Sequence, residues 1–229
     1  MGGVLSEYKF RILLAALLCL ILLFPAVDGT WAGRLTFSIA LVAILLSGIW
    51  AAFSGAHLRL LALAAGAPAV LLPWLLHAWG VEGPSPALSH VLCAAFLGWM
   101  VVAIIRQAHV AEETTADGIA GALGAFLLIA LLFGHLYSAV ESCSPGSFLI
   151  QDKRAHGPEN GTEGHFLLVY FSLCTQTTVG YGDIVPMKPL ARSLAVIQAL
   201  AGQFYLAVLI AGLVGKRLAQ VTQAVKHRK

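Results

Sequence analysis

Thr177-Thr178-Val179-Gly180-Tyr181-Gly182-Asp183 is the stretch whose reading decides how this chain folds. Cys174-Thr175-Gln176 precede it, and threonines and glycines packed this closely make a poor continuation of a helix. Upstream, a helix is predicted over 165–177, with Asn160 or Thr162 as its cap and Glu163 where the positive helix end favours an acid. Its negative C-terminal end points at residues 178–183 and suits a cation there. Gly180 and Gly182 permit positive φ. Successive carbonyls can then face one axis while Val179 and Tyr181 turn away and pack.

The surrounding chain has 229 residues, 59% hydrophobic and 11% charged, with mean hydropathy +0.85. Soluble domains are roughly 45–50% apolar and about 25% charged, so a water-soluble globule is excluded. A net charge of +3 leaves no basic stripe to track nucleic acid. Four cysteines are too few for a disulfide scaffold. The chain reads as an integral membrane protein. About 20 apolar residues span a hydrocarbon core of about 30 Å, and uncharged runs fall at 12–27, 35–58, 60–81, 83–105, 118–140, 164–182 and 193–215. The sixth, rich in glycine and threonine, dips in and returns. The expected fold is all-α, with six transmembrane helices plus a re-entrant pore helix and filter. Continuous apolar runs, rather than alternating ones, exclude spanning β-strands.

Lysine and arginine set the orientation. With both termini cytoplasmic, Lys9, Arg11, Arg59, Arg106, Lys216, Arg217, Lys226, Arg228 and Lys229 fall inside; Arg34, Lys153, Arg154, Lys188 and Arg192 fall outside. Trp31 and Trp79 lie at outer ends and Trp50 near an inner one, as an aromatic belt requires, whereas Trp99 is mid-span and packs. Lys9 and Arg11 ahead of 12–24 also fit a signal peptide, although the short loop to the next span favours a retained hairpin. Four parts follow: a four-span peripheral domain at 1–106, a cytoplasmic linker helix at 107–117, a pore domain at 118–215 and a short basic tail at 216–229. Pro68 and Pro73 are expected to kink the third span.

The filter stretch resembles that of the potassium channel family, the type case of a Thr-Val-Gly-Tyr-Gly loop lined by carbonyls. The match covers about 118–215. It implies a homotetramer in which Thr178, Val179, Gly180, Tyr181 and Gly182 form the filter, with K+ as the permeant ion. Asp183, Thr175 and Tyr170 would support the filter, Tyr170 and Phe171 holding the family's aromatic-pair position. Gly202 matches the gating hinge of the inner helix. Cys174 stands where some members carry a glutamate that holds the equivalent of Asp183, so that partner is missing. Phe171 cannot donate a hydrogen bond to Tyr181, which leaves Thr175 for that role.

Six-span members often sense voltage through arginines repeated along the fourth span. Residues 88–106 carry a single formal charge, Arg106, at the end. One charge crossing the full field is worth about 2.3 kcal/mol per 100 mV, and steep gating needs about three or four per subunit. Spans 1–4 therefore read as a lipid-facing scaffold, with a lipid or small hydrophobic ligand site as the second reading. The function implied is passive, potassium-selective conduction not gated by a conventional voltage sensor, and no enzyme activity. The protein would lie in the plasma membrane, multi-pass, partnered by itself and the bilayer, without nucleic acid. A potassium transporter subunit and a non-conducting sensor or accessory protein are the alternatives.

Among smaller signals, His135 reads as a hydrogen-bonded interior residue, and His156 and His165 as solvated loop residues. Gln198 and Gln203 either face the cavity or bond between helices. Cys143 is either a free thiol or linked between subunits.

Overall fold

The computed structural model describes residues 8–23, 31–53, 55, 57–64, 66, 85–110, 115–151 and 162–226, and over these the chain is mostly helical. The leucine spacing of helix α1 (Lys9–Leu23) places Leu13, Leu17 and Leu20 on one face, and all three are buried. That face packs against α2 (Trp31–Ala52) and α4 (Ala116–Cys143), while α3 (Ser85–Val110) lies along α4 with Met100 and Ile104 fully buried. Trp99 packs on Phe53, with ring centroids 4.7 Å apart, as its mid-span position implied.

Polar groups stitch one end of this bundle. The Asp117 carboxylate accepts the Phe10 and Arg11 N–H groups at 3.4 and 3.1 Å, satisfying donors that the first turn of α1 leaves without helical partners. Lys9 Nζ donates to Gln107 Oε1 at 2.8 Å, and Gln107 Nε2 donates to the Ala52 carbonyl. Thr115 caps α4, its hydroxyl accepting the Gly118 N–H at 3.0 Å.

The second half begins with α4, 28 residues and so about 42 Å long. Helix α5 (Thr162–Gln176) is 15 residues, about 22 Å, too short to cross a bilayer core of about 30 Å. It starts three residues earlier than expected, so His165 lies within the helix rather than at its first position. It packs closely on α4 at Gly134, where an added Cβ would lie 3.0 Å from Val169 Cα. Strands β1 (Phe148–Ile150) and β2 (Ile184–Pro186) pair antiparallel, Phe148 opposite Pro186. This small sheet corrects the purely helical expectation. Phe148 enters an apolar cluster with Phe133, Tyr137, Phe171 and Ile184, and that burial pulls the segment onto the filter's exit strand.

Helix α6 (Pro189–Phe204) opens with proline at its first position. It continues through a π-helical segment, Tyr205–Ile210, into α7 (Ala211–Lys226). The basic tail expected from residue 216 is thus largely a continuation of the inner helix.

Among the described residues, three helices are long and apolar enough to cross a membrane: Ala87–Gln107, Ala116–Cys143 and Pro189–Val208. Residues 57–64 are helical, but most of the expected third span, with Pro68, Pro73 and Trp79, lies outside the described residues, as do His156 and Asn160. Residues 107–110 continue α3 and 116–117 open α4, while 111–114 fall outside the description.

Candidate ion-conduction site

The pore helix ends by handing its carbonyls to the segment that follows. Thr177 N–H donates to Leu173 O at 3.0 Å, Thr178 N–H to Thr175 O at 3.2 Å and Val179 N–H to Cys174 O at 2.9 Å. The first filter amides are therefore consumed by the helix end. Beyond them positive φ recurs at every second residue: Thr178 at 61°, Gly180 at 58° and Gly182 at 82°. For the glycines this is permitted conformation. For the β-branched Thr178 it is strained, by about 1–3 kcal/mol, which is typical of functional backbone.

The exit of the filter is held from two sides. Tyr170 donates its hydroxyl proton to Asp183 Oδ2 at 2.9 Å, and its ring stacks on Tyr181 with centroids 6.5 Å apart and 7° between planes. Residue 174 lies one turn beyond residue 170 on the same helix face. Tyr170, expected beside the filter stretch, thus supplies the Asp183 partner that Cys174 lacks, a pairing the sequence does not specify. Asp183 Oδ1 accepts the Ile184 N–H at 3.1 Å. Its carbonyl accepts Gln151 N–H at 2.9 Å, tying the filter to the end of β1. Lys188 Nζ donates to Ser144 Oγ and Pro145 O, both at 2.7 Å, and so fastens the α4–β1 turn to the residues after β2. The Thr175 carbonyl is occupied by the Thr178 amide, as above.

Behind the filter lies a buried polar network. Gln198 on α6 donates from Nε2 towards Ser172 Oγ at 2.6 Å, Ser172 O at 3.0 Å and Gln176 Oε1 at 3.1 Å. Its Oε1 accepts the Tyr137 hydroxyl at 2.5 Å. Ser172 in turn donates to Ala130 O at 2.6 Å, and Gln176 Nε2 to Phe126 O at 2.5 Å. Outer helix, pore helix and inner helix are joined by groups with no exposed surface: Tyr137, Ser172, Gln176 and Gln198. Of the two open readings, Gln198 bonds between helices, while Gln203 is exposed. Polar residues in apolar spans were the available signal, but Ser172 and Gln176 were absorbed into the threonine-rich filter run. Gly202 is buried where an added Cβ would meet Gln176 O at 2.9 Å, so glycine there lets the inner helix approach the pore helix.

His165 corrects its expectation as a solvated loop residue: its ring lies 4.4 Å from that of His135, centroid to centroid, inside the α3–α4–α5 junction. His135 is buried and hydrogen-bonded, as read. Cys143 is the last residue of α4 and is exposed.

A half-length helix, a run of alternating φ and two flanking apolar helices are an arrangement consistent with the pore of an ion channel. Residues 125–218 match the family described as "Ion channel". Curated relatives carry the same resemblance. An inward rectifier potassium channel, Kirbac3.1, of Paramagnetospirillum magnetotacticum is 34% identical over 106 residues, 44% of this chain and 30% of that protein. A voltage-gated potassium channel of Aeropyrum pernix is 33% identical over 79 residues, 34% of this chain and 27% of that one. Two-pore potassium channel 5 of Arabidopsis thaliana is 39% identical over 57 residues, 24% and 14%. The matches thus span less than a third of the relatives' own lengths. No solved structure gives a significant match. Residues 125–218 thus resemble a family of ion channels, and the relatives that match this part of the chain are potassium channels.

Proposed function

We propose that the chain forms a potassium-selective channel by passive conduction through a ring of four copies, opened by something other than membrane voltage. The observation that carries the reading is the positive φ at Thr178, Gly180 and Gly182 within a Thr-Val-Gly-Tyr-Gly run directly after a half-length helix. That alternation suits carbonyls stacked towards one axis, where they replace the water of a dehydrated K+. Thr178, Val179, Gly180, Tyr181 and Gly182 would line the filter, with Asp183, Tyr170 and Thr175 supporting it. One subunit supplies one wall, so the site is complete only in an oligomer.

The inner helix would flex at Gly202, a reading supported by the π-helical turn that begins three residues later. Residues 1–106 would act as a peripheral scaffold, its lipid-facing surface also suited to a lipid or small hydrophobic ligand. The plasma membrane with both termini cytoplasmic is the proposed setting. The polar residues support that sorting: Lys9, Gln107 and Asp117 gather at one end, Lys188 and Asp183 at the other.

Purified protein in planar bilayers under asymmetric KCl and NaCl tests the proposal. Unitary currents reversing near the potassium equilibrium potential are expected. Currents that follow sodium equally, or none from a well-folded oligomer, would overturn it.

A further inference from the structure

His90 on α3, His135 on α4 and His165 on α5 bring ring nitrogens within 4.8 Å of one another, although they are far apart in sequence. His90 Nδ1 and His135 Nδ1 face each other at 3.1 Å. Two nitrogens on one tetrahedral Zn2+, each at about 2.0–2.1 Å, sit about 3.3 Å apart, so this pair needs little movement to share an ion. His135 lies eight residues before the end of α4, about 12 Å along the helix. The cluster is thus near the filter-mouth end of the bundle, with His90 and His165 half-buried.

The third imidazole is oriented from behind. Ser138 Oγ donates its one proton to Gly134 O at 2.9 Å and lies 2.7 Å from His165 Nδ1. The serine oxygen therefore accepts the His165 Nδ1–H, which puts the lone pair on Nε2. A ligating histidine whose other nitrogen donates to a fixed acceptor is the usual supporting arrangement of a metal site. With neutral rings, one Nδ1 of the facing pair carries the proton and the other presents its lone pair. Loading an ion requires only that this proton move to Nε2 of its own ring, so no charge needs to leave the site. The donor set is three imidazoles with no carboxylate, which disfavours Mg2+ and Ca2+ and suits a borderline transition ion.

We propose that His90, His135 and His165 form a three-imidazole site for a divalent transition ion, Zn2+ in the first instance, which clamps the peripheral helix α3 and the outer helix α4 to the pore helix. A solvent molecule completes the tetrahedron from the half-buried side. The clamp acts on the element that carries the filter, so the ion would report on, and restrain, the pore helix without entering the conduction path.

Metal counting on the full-length protein tests this without any ion current, so its outcome is separate from that of the channel proposal. Purified protein is stripped with chelator, equilibrated with ZnCl2, freed of loose metal and assayed for zinc, with its melting midpoint recorded before and after loading. About one zinc per chain and a saturable rise in midpoint are expected. His90→Gln, His135→Gln and His165→Gln should each lose both. Ser138→Ala should retain the site with affinity weakened about 10–100-fold, the usual cost of removing an orienting partner. His90→Gln, at the half-buried edge, carries the test if the buried His135→Gln fails to fold. Zinc held equally by wild type and His90→Gln, or no zinc and no midpoint shift in wild type, overturns the proposal.

Discussion

Gly182 has φ +82°, and an ideal Cβ built there meets nothing within 4 Å in the subunit. The cost of a side chain at this position is then conformational, about 1–2 kcal/mol per subunit for forcing an L-residue left-handed. Gly182→Ala should abolish potassium selectivity in bilayer recordings, whereas D-alanine at the same position, which favours positive φ, should preserve it. Equal failure of both would place the constraint in subunit packing instead. Tyr170→Phe deletes the hydroxyl that holds Asp183 Oδ2. Hydrogen bonds to charged groups contribute about 1.5–3 kcal/mol, and this exposed one less. We expect an intact oligomer that conducts K+ but loses conduction faster after exposure to K+-free solution. An unchanged time course would remove Tyr170 from filter support. The glycines were legible at this scale because backbone freedom is a property of the residue itself. The Tyr170–Asp183 bond was not, because it depends on where the chain turns between them.

At the scale of elements, the inner helix is held by two contacts with different chemistry. Gln198 satisfies Tyr137, Ser172 and Gln176 together, so Gln198→Leu leaves several buried groups unpaired at about 1–3 kcal/mol each. The melting midpoint of the detergent-solubilised protein should fall sharply, while Gln203→Leu, on the exposed face, should leave it nearly unchanged. Gly202→Ala drives a Cβ to 2.9 Å from the Gln176 carbonyl, whereas Gly212→Ala meets nothing within 4 Å. The first should destabilise. The second should be neutral or stabilising by up to about 1 kcal/mol, through helix propensity alone. Tyr205 donates its hydroxyl to Ala122 O at 2.6 Å and opens the π-helical segment. Anchored in this way to the outer helix, Tyr205 is buried while its neighbours Phe204 and Leu206 are exposed. The apolar runs announced α3, α4 and α6 in sequence. The three-residue strands and the π segment gave no such signal, since each exists only against its partner.

For the whole molecule, the single subunit leaves Phe204 64%, Val208 72% and Tyr181 73% exposed along the inner helix and filter. Apolar side chains beside a hydrophilic conduction path need cover, and further copies of this chain would provide it. Opening should depend weakly on voltage, because α3 carries Arg106 as its one charged residue. A gating slope above about four elementary charges per tetramer would contradict this. At the filter-mouth end, the Glu141 carboxylate accepts Gly146 and Phe148 N–H groups at 2.7 and 3.1 Å. Glu141→Gln should therefore loosen the turn into β1 and lower the melting midpoint at any ionic strength. A purely electrostatic role would show as reduced inward current at low salt only, where screening is weak.

By itself, the sequence determined that this chain suits a membrane, where its Thr-Val-Gly-Tyr-Gly run lies and that residues 88–106 carry one formal charge. Those properties follow from transfer free energies and backbone preferences, which belong to residue types and their near neighbours. Only the tertiary structure decided which polar groups meet. Tyr170 reaches Asp183, Gln198 gathers three helices, Phe148 brings a strand to the filter's exit, and His165 turns inward to join His90 and His135. Each pairing joins residues 13 to 75 positions apart, and no local preference encodes such a distance. It is set when apolar faces pack and each buried donor must find an acceptor.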